Sequence, residues 1–342
     1  SPGLLGAFVL LGVFPLIARK LLGLIQARRV YAGWDKPKNF DRNLVVIGAG
    51  AGGLVSSYIA AAVKAKVSLI EKHQMGGDCL NTGCVPSKAL LRSAKLANEL
   101  KKGEALGFTG VQGQVDFPAV MERIQRVIAD IEPHDSVERY TGLGVEVIQG
   151  EAKILTPWTV EVNGQTLSSR NLIIAAGARP FVPDIPGLEQ IRAYTSDSIW
   201  TLREQPRWLL VLGGGPIGCE LAQAFQRLGS QVIQVERGGR LLPREDANAS
   251  EAVMASLRAD GVDLRLQHQA ERFEVVDGEP RMIARNLETG EPVTIAFDCL
   301  LLALGRKANV SGYGAEELGL TLRDNGTLET DEYLATRFPN IY

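Results

Sequence analysis

Beginning at residue 44 the chain runs apolar for four positions, breaks into glycines, continues alanine-rich and then turns apolar again: LVVIGAGAGGLVSSYIAAAVKAKVSLIEK, residues 44–72. Leu44–Ile47 has the length and composition of a buried parallel strand, and the glycine cluster predicts a tight turn. The alanine-rich stretch predicts a helix, and Val67–Ile70 a second strand that ends at Glu71. Residues 209–237, LLVLGGGPIGCELAQAFQRLGSQVIQVER, repeat the design. After each copy come short alternating segments with turn residues, at 152–170 and at 270–297, the latter containing Asp277-Gly278 and Thr289-Gly290. Each series closes on an apolar strand capped by glycine, Leu172 to Gly177 and Leu300 to Gly305. Between the copies, residues 90–140 carry a helical apolar spacing, as at Val120, Ile124, Val127, Ile128 and Ile131.

The two copies align residue by residue. Gly48, Gly50, Gly53 and Glu71 match Gly213, Gly215, Gly218 and Glu236, each at an offset of 165. In such a loop the first glycine permits the turn, the second lets backbone approach a pyrophosphate, and the third lets helix and strand pack closely. The pyrophosphate sits on the helix N-terminus, where free N–H groups and the helix dipole favour an anion, and the acid accepts from ribose hydroxyls. The prediction is an α/β chain with two Rossmann-like domains of three-layer ββα type, each extended by a small antiparallel sheet. The expected divisions are a membrane-associated segment at 1–30, a polar linker at 31–42 (YAGWDKPKNFDR), a first nucleotide domain at 41–180, a second at 190–298, and a return to the first at 300–342.

Between the two copies lies Gly76-Gly-Asp-Cys-Leu-Asn-Thr-Gly-Cys-Val-Pro-Ser-Lys88. A CxxxxCxPSK stretch directly after a GxGxxG unit resembles the redox-active site of the FAD- and nicotinamide-dependent disulfide oxidoreductases, the class that includes dihydrolipoamide dehydrogenase, glutathione reductase and mercuric reductase. The wording of this motif is closest to the dihydrolipoamide dehydrogenase and mercuric reductase branch. The resemblance runs from about residue 41 to the end. It implies a glutathione reductase-like fold in which electrons pass from a reduced nicotinamide through FAD to a disulfide at Cys79 and Cys84. Cys84 would then be the flavin-facing thiol and Cys79 the interchange thiol. Lys88 would reach the flavin and pair with Glu220, and these four residues are the catalytic candidates. FAD contacts are implied at Gly48, Gly50, Gly53, Glu71, Lys72, Gly77, Asp78, Lys88, Ala152, Ala176, Gly177 and Gly305. NAD contacts are implied at Gly213, Gly215, Pro216, Ile217, Gly218 and Glu236. A carboxylate at Glu236 favours NADH over NADPH, although Arg237 and Arg240 beside it suit a phosphate. The resemblance also implies a homodimer built through a C-terminal domain that carries an acid–base histidine. Residues 330–342 approach the family's last FAD motif, and that dimerisation domain is absent from this sequence, so a longer reductase is expected.

Composition narrows the partners. A formal net charge of −2, with no basic stripe interleaved with aromatics, argues against nucleic acid. The four cysteines lack the paired spacing of a structural zinc site, so no metal site is predicted, and they are too few for a secreted disulfide scaffold. That leaves a reducing compartment, with Cys219 and Cys299 in apolar settings as core thiols. Residues 1–18 carry no charged side chain, Arg19 and Lys20 follow, and residues 1–40 resemble the end of a DedA-like membrane domain. The run suits a buried helix or, at the lower length limit for a span, a membrane segment, in which case the basic flank places the catalytic domains on the cytoplasmic face. The expected acceptor is a small-molecule or protein disulfide, or a metal ion. Two other readings stay open: a flavin-dependent quinone or metal reductase, and a redox-sensing domain of a membrane transporter.

Overall fold

The computed structural model describes residues 28–342, together with Phe14, Pro15, Ile17, Ala18, Leu21 and Gly23. Most of the uncharged run at 1–18, and with it the proposed membrane segment, lies outside the described residues. Among those described, no helix is long and apolar enough to cross a membrane. The chain forms two compact units, each assembled from separate stretches. The first comprises residues up to Met75, Val137–Ala176 and Ala308–Tyr342; the second comprises Gly76–Ser136 and Gly177–Lys307.

The first unit is built on strands β1 (Arg42–Ile47), β2 (Val67–Glu71), β3 (Val145–Gln149), β4 (Lys153–Thr156), β5 (Thr159–Val162) and β6 (Gln165–Ile174). They form one six-stranded sheet in the order β3-β2-β1-β6-β5-β4. β1 is parallel to both β2 and β6, with Leu44 opposite Val67 and Asn171. The helix Ala51–Ala62 makes the crossover from β1 to β2. At its other end β6 pairs antiparallel with β5 through an Asn163-Gly164 turn, both residues at positive φ as a tight hairpin requires. The apolar run Leu172–Ile174 is therefore the end of the long strand β6. Val45, Val160, Leu172 and Ile341 are fully buried in one core beside Phe338, and Leu172 exchanges backbone hydrogen bonds with Asn340 (2.8 Å) and Tyr342 (3.0 Å). The stretch read as a polar linker is anchored to this core. Tyr31 stacks on Trp158 with ring centroids 4.5 Å apart, and its hydroxyl donates to Asn340 Oδ1 at 2.5 Å.

The second unit contains the helices Gly77–Asn81, Cys84–Lys101, Phe117–Ile131, Pro216–Leu228 and Ala247–Ala259. Its strands are β7 (Ala178–Pro180), β8 (Ala193–Thr195), β9 (Trp208–Leu212), β10 (Gln231–Val235), β11 (Asp263–Arg265), β12 (His268–Val276), β13 (Glu279–Asn286), β14 (Pro292–Ala296) and β15 (Cys299–Leu302). A parallel sheet runs β11-β10-β9-β15-β8, and β12-β13-β14 form a separate antiparallel sheet. The β9–β10 register, Leu209 opposite Val232, is the β1–β2 register displaced by the sequence offset of the repeat. The helical spacing at 117–131 packs as expected. Asp116 caps the helix by accepting from the Ala119 N–H at 3.0 Å, and Phe117, Met121 and Ile124 are buried. In the helix Cys84–Lys101, Pro86, Ala89, Leu90 and Ala94 form the buried stripe, which leaves the Cys84 and Lys88 side chains on the exposed face.

Candidate active site

In each loop the first and third glycines are sterically closed to larger residues, whereas a Cβ on Gly215 would meet nothing within 4 Å. Gly48 has φ +102°, and a Cβ there would lie 2.3 Å from the Ala175 carbonyl oxygen; a Cβ on Gly53 would lie 1.8 Å from the Gly48 carbonyl oxygen. In the second unit Gly213 has φ +121°, with a Cβ position 2.3 Å from the Ala303 oxygen, and that of Gly218 lies 2.4 Å from the Gly213 oxygen. Gly50 and Gly215 are the N-caps of their helices, and no side chain caps either one. The first N–H groups of both helices are thus free of side-chain acceptors, as an anion site needs. Pro216 takes the first helical position, where no N–H is missed, and Ile217 packs on the core.

The terminal acids orient these loops. Glu71 accepts from the Ala49 N–H at 2.6 Å and from the His73 N–H at 2.7 Å. Glu236 accepts from Gly214 and Gly238, both at 2.7 Å. Two charge-assisted bonds hold each carboxylate at the end of its strand, and its remaining lone pairs are free for a ribose. Both loops thus have the geometry that the pyrophosphate and ribose of a dinucleotide need. Ala152 is buried, and the Ala176 carbonyl accepts from Asn309 Nδ2 at 2.9 Å. Lys72 is exposed, and Gly177 and Gly305 are exposed turn residues at positive φ.

Cys79 lies in the short helix Gly77–Asn81, and Cys84 begins the next helix, with Thr82 and Gly83 between them. The Thr82 N–H donates to the Asp78 carbonyl at 2.9 Å, and a Cβ on Gly83 would approach that same oxygen to 2.8 Å. The loop is held from both sides. Trp200 Nε1 donates to the Thr82 carbonyl at 2.9 Å and to Ser196 at 2.7 Å. Arg306 pairs with the Asp78 carboxylate, donates to the Ala178 carbonyl at 2.6 Å and lies 3.6 Å from Asp197. Asp78, expected at the flavin, is thus engaged by Arg306. Its carboxyl is raised by burial; Arg306 opposes the rise and Asp197 adds to it. All four cysteines are free thiols. Cys84 is exposed and Cys79 half-buried, and the Cys79 thiol is pushed up to about 11, first by burial and then by its hydrogen bond to, and the charge of, Cys84.

Lys88 Nζ donates to both Glu220 oxygens, at 2.9 and 2.7 Å, so the helix that starts at Cys84 meets the helix of the second glycine loop. The pair is largely exposed and contributes little stability, on the order of 0–1 kcal/mol. Trp200, Asp197 and Arg306 carried no sequence signal, because no motif spacing links Asp78 to a residue 228 positions away. Among the described residues no group of three or more His, Cys, Asp or Glu could hold a metal. Cys219 and Cys299 are buried core thiols, as their apolar settings implied, raised by burial to about 11 and about 12.

The family model for "Pyridine nucleotide-disulphide oxidoreductase" matches residues 42–342. A mercuric reductase of Bacillus cereus is 34% identical over 304 residues, which cover 89% of this chain and 48% of that protein. A dihydrolipoyl dehydrogenase of Acholeplasma laidlawii is 34% identical over 310 residues, covering 88% of each. The solved HOCl-induced flavoprotein disulfide reductase RclA from Escherichia coli superposes with a TM-score of 0.75 at 28% identity, over 88% of this chain and 65% of that one. The chain therefore spans about half the length of the mercuric reductases it matches. The fold is that of the glutathione reductase-like flavoprotein disulfide reductases. The family model covers the chain from residue 42 to its last residue, and the chain belongs to the pyridine nucleotide-disulphide oxidoreductases.

Proposed function

We propose that this protein passes two electrons from NADH, by way of FAD, to the Cys79–Cys84 pair and on to a disulfide or metal-ion acceptor. The observation that carries the reading is the helix Cys84–Lys101. It presents a thiol at its first residue, and one turn later Lys88, paired with Glu220 of the nicotinamide-loop helix. FAD would be held by the Gly48–Gly53 loop, with Glu71 at its ribose, and supplies a two-electron relay between a hydride donor and a sulfur pair. Cys84 sits at a helix N-terminus, where negative charge is favoured. Cys79 is the thiol that exchanges with the acceptor, and with its proton held to about pH 11 its attack requires that proton to be removed. Lys88 supplies a fixed positive charge on the same helix face, oriented by Glu220.

Anaerobic titration with NADH tests the assignment. Two-electron reduction should produce a long-wavelength charge-transfer band that Cys84→Ser abolishes and that Cys79→Ser shows without prior reduction. The opposite pattern would reverse the roles of the two sulfurs. Glu236 at the second strand end supports NADH as donor, and a kcat/KM ratio favouring NADPH would sink that preference. We also place the N-terminus in a membrane with both units on the cytoplasmic side, because an uncharged run is followed by Arg19 and Lys20. Release of the whole protein by carbonate without detergent would refute it.

A further inference from the structure

The second glycine loop is backed by a polar pair at positions where the first has leucines. At the repeat offset Leu54 and Leu69 correspond to Cys219 and Gln234, and all four are buried. Gln234 is the penultimate residue of β10 and has no solvent exposure. Its Nε2 donates to the Gly213 carbonyl at 3.0 Å and approaches Cys219 Sγ at 3.8 Å, and the Cys219 thiol approaches the Gly214 carbonyl at 3.6 Å. Its other amide atom, Oε1, is buried with no hydrogen-bond partner among the described residues.

A buried acceptor left unpaired weakens a fold, and the sister module shows that leucine fills the same place. A residue that breaks the packing rule inside a ligand-binding module points to a role in binding. The peptide between Gly213 and Gly214 shows what that role is. Its N–H donates to Glu236 at 2.7 Å and its carbonyl accepts from Gln234, so the plane is gripped at both ends. In the next plane the Gly214 carbonyl accepts from the Leu242 N–H at 2.8 Å and takes the Cys219 thiol. A trans peptide carries its N–H opposite its carbonyl, so holding that carbonyl turns the Gly215 N–H to the other side. There it faces the position the loop offers to an anion.

We propose that Gln234 is a positioning residue for the nicotinamide dinucleotide: it fixes the Gly213–Gly214 peptide so that the loop presents its N–H groups to the pyrophosphate without reorganising. The proposal rests on the second module being the nicotinamide site. The loop is ordered through this buried contact, and Cys219 reinforces it.

Gln234→Met keeps the volume and removes the donor. Calorimetric titration of the FAD-loaded full chain with NAD⁺ should show Kd raised about tenfold, the scale of one lost hydrogen bond. KM for NADH should rise in parallel with kcat unchanged, while Tm stays nearly level, because the orphan oxygen goes as the Gly213 carbonyl loses its donor. The double variant Cys219→Leu with Gln234→Leu, which copies the first module, should give the same weakened binding and retain FAD. Unchanged NAD⁺ affinity in both variants overturns the proposal, and so does weakened affinity that merely follows a lower Tm. If the unsubstituted protein itself fails to bind NAD⁺, the reading of the second module falls and this inference falls with it.

Discussion

The two glycine loops share one backbone and differ in what stands behind it. The acid-to-loop bonds are 2.6 Å in the first and 2.7 Å in the second, and both leading glycines hold a carbonyl oxygen 2.3 Å from where a Cβ would be. Yet leucines back the first loop, and a glutamine and a cysteine back the second. The third strand differs as well. In the first unit it is the last part of β6, continuous with the antiparallel extension, whereas in the second β14 and β15 are separate strands in separate sheets. The turn and its acid are thus the invariant physical solution. Backing and sheet closure are free to change around it.

The strongest way to break the likeness is to fill the third glycine. Gly53→Ala would drive a methyl into the Gly48 carbonyl at 1.8 Å, against 2.4 Å for Gly218→Ala. The first should cost the fold about 3 kcal/mol or more and abolish FAD retention. The second should leave FAD bound and weaken NAD⁺ binding at least tenfold, as read by flavin absorbance and calorimetry. Next come the acids. Glu71→Gln and Glu236→Gln each keep one backbone bond, on the amide oxygen and without its charge, and lose the other because an amide nitrogen cannot accept from an N–H, about 1–3 kcal/mol of local stability. Loss of affinity should be confined to FAD in one variant and to NADH in the other, and a loss of both ligands from either variant would contradict their independence. Lys88→Met should move Tm by less than about 2 °C, since the pair is exposed. It should nevertheless slow NADH-driven reduction of the Cys79–Cys84 pair at least tenfold in stopped flow.

The smallest effect is alkaline. Cys219 and Cys299, both in the second unit, are raised by burial from 9.0 to about 11 and about 12. Below pH 9 folded and unfolded chains both keep these protons, so the contribution is fully present. Between pH 9 and 11 the unfolded chain ionises first and stability falls. Hydrogen exchange should report this loss first in β9 and β15, and Cys299→Ala should lessen it. Tyr31 and Tyr313 of the first unit are themselves raised by burial from 10.0 to about 12, so the comparison is made between about pH 9 and 10, where equal softening of β1 and β6 would show that the buried thiols are not its source.

Much of this was legible in the sequence, because short-range physics dictates it. The offset between the copies is kept to the residue in the strand registers, since a glycine turn, one helix and two buried strands leave no slack. The Lys88–Glu220 pair followed from the family motif, with each partner near the start of its own helix. Contacts that depend on distant closure were not legible. Neither Arg306 on Asp78 nor Trp200 on Thr82 has a local pattern. The stretch read as a linker gave no sign that Tyr31 would find Trp158, because a polar segment with scattered aromatics looks the same whether it is anchored or free. Gln234 reads as an ordinary polar strand residue until burial shows its surroundings.

The pairing of β6 with residues 340–342 has a consequence for synthesis. A ribosome delivers this chain from the N-terminus, and Leu172 and Ile174 wait for Asn340 and Tyr342 before their N–H groups are matched. The second unit ends at Lys307, so all its strands have emerged while the last stretch of the first is still to come. The unit begun first is thus the one completed last. Its half-built sheet, with one side of β6 open, is the species a nascent chain must shield from wrong partners.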